Sequence, residues 1–208
     1  DDIFWGTMKS VYPKCPTYAK ALEGRFADWL KAKYGPEDKL KAAWGDSIKA
    51  GESLDKRNFA IQPDPWFSGS TGLAQQSAGG RARMLDNAAF LHVTQNKYYE
   101  KLTKAIRDAG YKGPIIGSPW QATGGVPHYY NLKSDAMVGL VDRHNYFNGV
   151  ENSMMARPGS GYLGTGLQQV IDRPFSVSEW IHVWPALYSA EGPAIMAVYG
   201  MGLQGWDA

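Results

Sequence analysis

The order in which helical and strand-like segments follow one another is the feature that most limits the fold of this chain. Apolar residues recur at helical spacing over residues 81–109, Gly110 ends that pattern, and residues 114–118 form a short apolar, β-prone segment. A helix, a short turn and a buried strand in this order make the second half of a βαβ unit. The sequence therefore predicts an α/β fold with a parallel sheet.

Further short apolar segments extend this pattern. We predict strands at residues 137–141, 175–179 and 203–207, with a helix over residues 191–202 before the last strand. No G-x-G-x-x-G or P-loop sequence stands at the end of any predicted strand, so we do not expect a nucleotide enzyme. The alternative to an open sheet is part of a (β/α)8 TIM barrel, of which this chain would hold four or five strands.

The first third of the chain is predicted to be helical. From Tyr18 the apolar positions recur at helical spacing as far as Gly35 and Pro36, and a second short helix over residues 37–44 ends at Gly45. Residues 46–80 lack sustained periodicity, and a loop of that length is either functional or a decoration without catalytic consequence.

Composition excludes several classes of protein. The chain has 208 residues, 44% of them hydrophobic and 20% charged, which predicts a single globular domain. A net charge of +2 with scattered basic residues argues against nucleic acid as a partner, and no apolar run is long enough to cross a membrane. We therefore expect a soluble bacterial protein, cytoplasmic or secreted to the periplasm or beyond, although the N-terminus carries no signal peptide.

The sequence predicts no metal and no cofactor. Cys15 is alone and cannot form an internal disulfide or a metal site by itself. The four histidines show no metal-binding spacing such as H-x-x-x-H.

Aromatic residues are more numerous than a core of this size needs, with 8 Trp and 12 Tyr. Aromatic faces in loops stack on the apolar faces of sugar rings, whereas the other interpretation is that these rings close a large core. Many of them lie beside Gly and Pro in predicted loops: Trp66, Trp120, Tyr129, Tyr130, Trp180, Trp184 and Trp206.

Glu179 is the main candidate for chemistry. It follows a β-prone segment and precedes Trp180, so it would sit on a rigid strand and face its open carboxyl end. The other interpretation is an ordinary surface glutamate. His144 and Tyr146, near the end of the preceding predicted strand, are the candidate hydrogen-bond donors to this carboxylate, and Asn145 is a candidate for binding a sugar hydroxyl. Arg143 is expected either to pair with Asp142 or to contact an anionic substrate.

One stretch resembles a known family. Residues 26–45 match F-x-x-W-L-x-x-K-Y-G…L-x-x-A-W-G, which is similar to a stretch of β-galactosidase-like enzymes, the family-42 glycoside hydrolases and their relatives in clan A. The sequences around Ser178-Glu179-Trp180, residues 190–193 and residues 203–207 resemble the end of those barrels in the same order. The resemblance implies one catalytic barrel domain over residues 1–208, from about the end of strand 4 through strand 8, that lacks its first half.

The resemblance also implies a function. Glu179 would be the nucleophile of a retaining β-glycoside hydrolase acting on a galactoside or a related oligo- or polysaccharide, and the acid/base glutamate is expected just before residue 1. Trp206 and Trp180 would stack under the reacting sugar, and Trp120, Trp184 and Trp66 would line more distant subsites. The expected partners are the carbohydrate and the missing half of the barrel or a second copy of the chain. The alternative is a carbohydrate-binding protein or half-barrel without catalysis, which would explain a missing acid/base.

Overall fold

The structure is a computed structural model that describes residues 11–61, 72–119, 125–147, 153, 162–182 and 187–207. The chain divides into two compact units. The N-terminal unit comprises Asp1–Tyr98 and Ala122–Asn131, and the C-terminal unit comprises Tyr99–Gln121 and Leu132–Ala208. Each unit has its own hydrophobic core.

Two helices begin the N-terminal unit as the sequence predicts. Helix α1, Pro16–Tyr34, has proline in its first turn, and helix α2 is Glu37–Trp44. Gly35 ends α1 at a φ of +74° and donates its N–H to the carbonyl of Lys31 at 2.9 Å. That positive φ explains why glycine stands at this position.

A long helix, α3, covers Ala78–Asp108 and contributes to both units. The prediction of a helix over residues 81–109 is confirmed, although part of its predicted buried side is wrong. Ala88 and Leu91 are buried. Four apolar side chains that the periodicity places inside are instead exposed: Leu85, Tyr98, Leu102 and Ile106.

The core of the N-terminal unit is built from aromatic rings of α1, α2 and α3. The ring centroids of Phe26 and Phe90 lie 5.0 Å apart, and Trp44 packs edge-on against Phe59 at 5.6 Å. The described part of the predicted long loop adds buried side chains to this core: Leu54, Phe59 and Ile61. Residues 48–61 are therefore part of the core structure, while Trp66 lies outside the described residues.

The C-terminal unit contains a short parallel sheet. Strand β1, Val141–Phe147, pairs with strand β2, Phe175–His182. Single parallel bridges extend this ladder, from Ile116 to Leu140 and from Ser176 to Asp207. Strand β2 confirms the prediction for residues 175–179 and runs three residues further. The core beside the sheet consists of Val141, Phe175, Val177, Met196 and Trp206.

The prediction of a (β/α)8 TIM barrel is wrong. Within the described residues the sheet has two strands and 61% of the residues are helical, so the fold is mostly helical. Some residues that were predicted as strand are helical instead, because a short apolar run can form either a helix or a strand. Helix α4, Gly125–Val138, takes up the start of the strand predicted at residues 137–141.

The last predicted strand, residues 203–207, is replaced by the end of a π-helix and a turn. Helix α5 is Tyr162–Gly166, and helix α6, Glu191–Ile195, continues as a π-helix over Met196–Leu203. The chain then turns at Gly205, at a φ of +68°, and only Asp207 among the described residues 203–207 pairs with the sheet. None of the helices in the described ranges is both long and apolar enough to cross a membrane.

Candidate functional site

The candidate site lies on the two paired strands of the C-terminal unit. In the parallel register His144 stands opposite Glu179, and Tyr146 stands opposite Ile181. Because alternate residues of a strand share a face, His144 and Tyr146 can approach the same neighbour on β2. His144 and Tyr146 lie within strand β1, whereas the sequence analysis placed them after the end of the predicted strand.

Glu179 accepts a hydrogen bond from the phenol of Tyr146. The contact joins the tyrosine hydroxyl to Oε2 of the carboxylate, and it raises the pKa of Tyr146 because the protonated phenol is the form that donates. Nδ1 of His144 lies 3.3 Å from the same oxygen, which is an ion pair when the imidazole is protonated. The structure thus brings both predicted neighbours to Glu179, Tyr146 as a hydrogen-bond donor and His144 at ion-pair distance.

The two contacts leave the carboxylate in an asymmetric environment. Both involve Oε2, and no donor to Oε1 occurs within the part of the chain that the structure describes. The Glu179 side chain is 55% exposed, whereas His144 is 11% exposed. One oxygen of the carboxylate is thus engaged by both neighbours, and a carboxylate on a half-exposed side chain is a group that can act as a nucleophile or a base.

The side chain of Arg143 connects strand β1 to helix α4. It is fully buried and forms an ion pair with Asp135 of α4, at 2.9 Å between Nη1 and Oδ2. Its Nε donates to Oε1 of Gln168 at 2.5 Å, and its Nη1 donates to the backbone carbonyl of Asp142 at 2.7 Å. The carboxylate partner of Arg143 is therefore Asp135 rather than Asp142, and the guanidinium is part of the interior.

The remaining predicted site residues are dispersed. Asn145 donates its amide to the hydroxyl of Thr165, so that group is already engaged. Trp206 is 2% exposed and its ring centroid lies 5.5 Å from that of Phe175, which makes it a core residue with no face for a sugar. Trp180 is partly buried against the same core. Trp120 and Trp184 lie outside the described residues.

A glycine accounts for the burial of Trp206. Trp206 donates its backbone N–H to the carbonyl of Gly200 at 2.9 Å, and a Cβ at position 200 would lie 2.6 Å from Cε3 of the indole. Any residue larger than glycine at position 200 would therefore displace the indole ring.

Asp142 is a site residue whose role the sequence analysis missed. Its carboxylate is 2% exposed and accepts hydrogen bonds from the hydroxyls of Ser176 and Ser178 and from the backbone N–H of Ser178. The spacing Ser176-x-Ser178 directly before Glu179 is the signal that was available, because alternate residues of a strand share a face.

The motif behind the family resemblance proves to be structural. Asp86 of α3 is 2% exposed and accepts hydrogen bonds from Lys33, from the Tyr34 hydroxyl at 2.7 Å and from Nε1 of Trp44 at 2.9 Å. Three polar positions of the F-x-x-W-L-x-x-K-Y-G…A-W-G stretch thus converge on one buried carboxylate. They hold α1 and α2 against α3 and are not a catalytic site.

Within the described ranges, no group of three or more His, Cys, Asp or Glu side chains is arranged to hold a metal ion. No protein-family model, curated protein or solved structure matches this chain.

Proposed function

We propose that this protein is a retaining β-glycoside hydrolase in which Glu179 is the nucleophile. The observation that carries the proposal is the arrangement around its carboxylate: Oε2 contacts both Tyr146 and His144, and the side chain is half exposed. A hydrogen-bond donor to a carboxylate favours its ionised form, which is the form that attacks.

The proposed reaction has two steps. In the first, Oε1 of Glu179 bonds to the anomeric carbon, the glycosidic bond breaks, and its electron pair leaves with the aglycone oxygen. In the second, water attacks the anomeric carbon and releases the carboxylate. A retaining enzyme also needs a second carboxyl group about 5–5.5 Å from the first, to protonate the leaving oxygen and then to activate the water. The residues described around Glu179 supply the nucleophile and its two supporting groups.

The substrate class rests on the sequence resemblance, which implies a galactoside or a related oligo- or polysaccharide. Trp180 directly follows Glu179, but successive side chains of a strand point to opposite faces and Trp180 packs against the core. The substrate class is therefore carried by the resemblance and not by this indole.

The nucleophile can be tested independently of the acid/base group. Dinitrophenolate leaves without protonation, so 2,4-dinitrophenyl β-galactoside and its β-glucoside and β-xyloside analogues need only the first step. We expect the wild-type protein to release at least one equivalent of dinitrophenolate and Glu179→Gln to release none above background. Glu100→Gln, an exposed glutamate on α3, is the matched control and should behave as wild type.

Two results would contradict the proposal. Equal release by wild type and Glu179→Gln would remove Glu179 from the reaction. No release from any of these glycosides by the wild type would remove the hydrolase function. If calorimetry then still detected binding of oligosaccharides, the chain would be a carbohydrate-binding protein without catalysis.

A further inference from the structure

We infer that Asp142 is a positioning residue that holds an irregular step in strand β2 and thereby directs Glu179 towards His144 and Tyr146. The consequence for catalysis rests on the proposed function. The consequence for the geometry of the site does not.

The strand register contains the irregular step. Asp142 pairs with Ser176, but His144 pairs with Glu179, so two residues of β2 stand opposite Arg143 alone. An extra residue of this kind is a β-bulge, which bends the strand and changes the direction of the side chains that follow it.

Without the bulge the site would not form. A regular ladder that begins with Asp142 opposite Ser176 would place Ser178 opposite His144 and Glu179 opposite Asn145. Because successive side chains of a strand point to opposite faces, Glu179 would then leave the face that carries His144 and Tyr146. The bulge is therefore what brings the carboxylate to its two partners.

The Asp142 carboxylate spans this step. Its Oδ1 accepts from the Ser176 hydroxyl at 2.6 Å and from the backbone N–H of Ser178 at 3.0 Å, and its Oδ2 accepts from the Ser178 hydroxyl at 2.5 Å. Ser176 lies before the bulge and Ser178 lies within it, directly before Glu179. Asp142 is 2% exposed, so its carboxylate depends on these donors for its hydrogen bonds.

The geometry distinguishes two substitutions of Asp142. Alanine removes both acceptor oxygens and with them all three hydrogen bonds, including the one from the Ser178 N–H. Asparagine keeps an acceptor for the Ser176 hydroxyl and the Ser178 N–H, and its amide can donate to the Ser178 hydroxyl, which accepts as readily as it donates. Asp142→Asn should therefore preserve the bulge and Asp142→Ala should not.

The first measurement does not depend on activity. The titration of Tyr146 is followed by NMR of tyrosine labelled with carbon-13 at Cζ, assigned with Tyr146→Phe, in wild type and in Glu179→Gln as the reference without the carboxylate. We expect Asp142→Ala to move the Tyr146 midpoint most of the way to the Glu179→Gln value. Asp142→Asn should keep the wild-type midpoint.

The second measurement is the rate of dinitrophenolate release. Misplacing a reacting group by about 1 Å costs roughly 100-fold, so Asp142→Ala should lose about that factor and Asp142→Asn about threefold or less. Met196→Ala, which leaves a cavity in the core beside the sheet and removes none of the hydrogen bonds of Asp142, controls for general loss of stability. It should keep both the Tyr146 midpoint and the rate.

The outcomes separate the two proposals. An unchanged Tyr146 midpoint in Asp142→Ala, or equal damage in Asp142→Asn and Asp142→Ala, would overturn the positioning role. If the wild type releases no dinitrophenolate, the proposed hydrolase function fails, and the NMR comparison still decides whether Asp142 positions Glu179.

Discussion

At the scale of single residues, Glu179 is defined by what touches one of its two oxygens. Tyr146 and His144 both contact Oε2, and both were predictable because they lie two residues apart at the end of an apolar segment. The role of Asp142 was predictable only in part, from the two hydroxyls of Ser176-x-Ser178. Its three hydrogen bonds depend on a bulge, and a change of register leaves no mark in local sequence propensity.

Removing the hydroxyl group of Tyr146 should weaken the proposed reaction without unfolding the protein. Tyr146→Phe removes the donor to Oε2 of Glu179, so it should lower kcat/KM on dinitrophenyl glycosides by about 10-fold. Tyr146 is half exposed, so its thermal midpoint should stay near wild type. Tyr129→Phe, another exposed tyrosine, is the control, and a matching loss of rate there would contradict the role of Tyr146.

The pH dependence of this contact has a definite sign. The hydrogen bond to Glu179 raises the pKa of Tyr146 above its ordinary value of 10.0, so the phenol keeps its proton further into the alkaline range. The contribution of the contact is complete below pH 10 and is lost as pH rises through the raised pKa. Activity that depends on Tyr146 should therefore persist at pH 10 and fall only above it.

At the scale of elements, glycine and proline made the first helices predictable. Pro16, Gly35, Pro36 and Gly45 delimit α1 and α2, and the structure places both helices between them. The prediction of a strand at residues 137–141 was wrong because Met137 and Val138 are apolar residues that suit a helix end equally well. The tertiary pairing of Val141 with Phe175, which local sequence does not encode, decides where β1 begins.

A buried ion pair fixes the loop before α3 and gives the N-terminal unit an acid-sensitive contact. Glu52 and Arg83 pair through two contacts of 2.6 Å, and the amides of Lys49 and Ala60 also donate to Glu52. Burial alone would raise the pKa of Glu52, but these hydrogen bonds outweigh it and lower the pKa below 4.5.

The depressed pKa of Glu52 predicts a specific loss of stability in acid. Its contribution is present above pH 4.5 and is lost as pH falls through the lower folded-state pKa. Glu52→Gln removes the charged partner of Arg83 in a site that is not fully buried, so it should lose about 1.5–3 kcal/mol at pH 7 in urea unfolding. The difference from wild type should shrink in strong acid, and a constant difference at all pH values would contradict this account.

The pair between Arg143 and Asp135 should behave differently, because both side chains are fully buried. Asp135→Leu alone leaves a buried guanidinium without its carboxylate and should cost about 3–5 kcal/mol in urea unfolding. The double variant Asp135→Leu with Arg143→Met replaces both charges and should recover most of that loss. A double variant that is no more stable in urea than Asp135→Leu alone would contradict the assignment of this loss to the unpaired guanidinium.

At the scale of the whole molecule, helices dominate. The barrel expected from alternating helical and apolar segments is replaced by a mostly helical chain with a two-stranded parallel sheet among the described residues. One part of this error lies at residues 203–207. The last residue of the π-helix, a glycine turn and a buried tryptophan occupy the stretch that was predicted as the final strand.

The circular dichroism spectrum tests this description of the fold. With 61% of the described residues helical, we expect strong minima at about 208 and 222 nm. The spectrum should lose its helical signal cooperatively on heating, as expected for small domains. A spectrum dominated by strand would contradict the structure.

The account rests on Glu179 as a nucleophile, and trapping the covalent intermediate tests this claim most directly. A 2,4-dinitrophenyl 2-deoxy-2-fluoro-β-glycoside reacts without an acid catalyst and leaves a slowly hydrolysed sugar on the nucleophile. We predict one fluoroglycosyl group per chain, and peptide mass spectrometry should locate it on Glu179 of the wild type, with no adduct in Glu179→Gln. An adduct on any other residue, or a chain that gains no mass while it hydrolyses the substrate, would contradict the account.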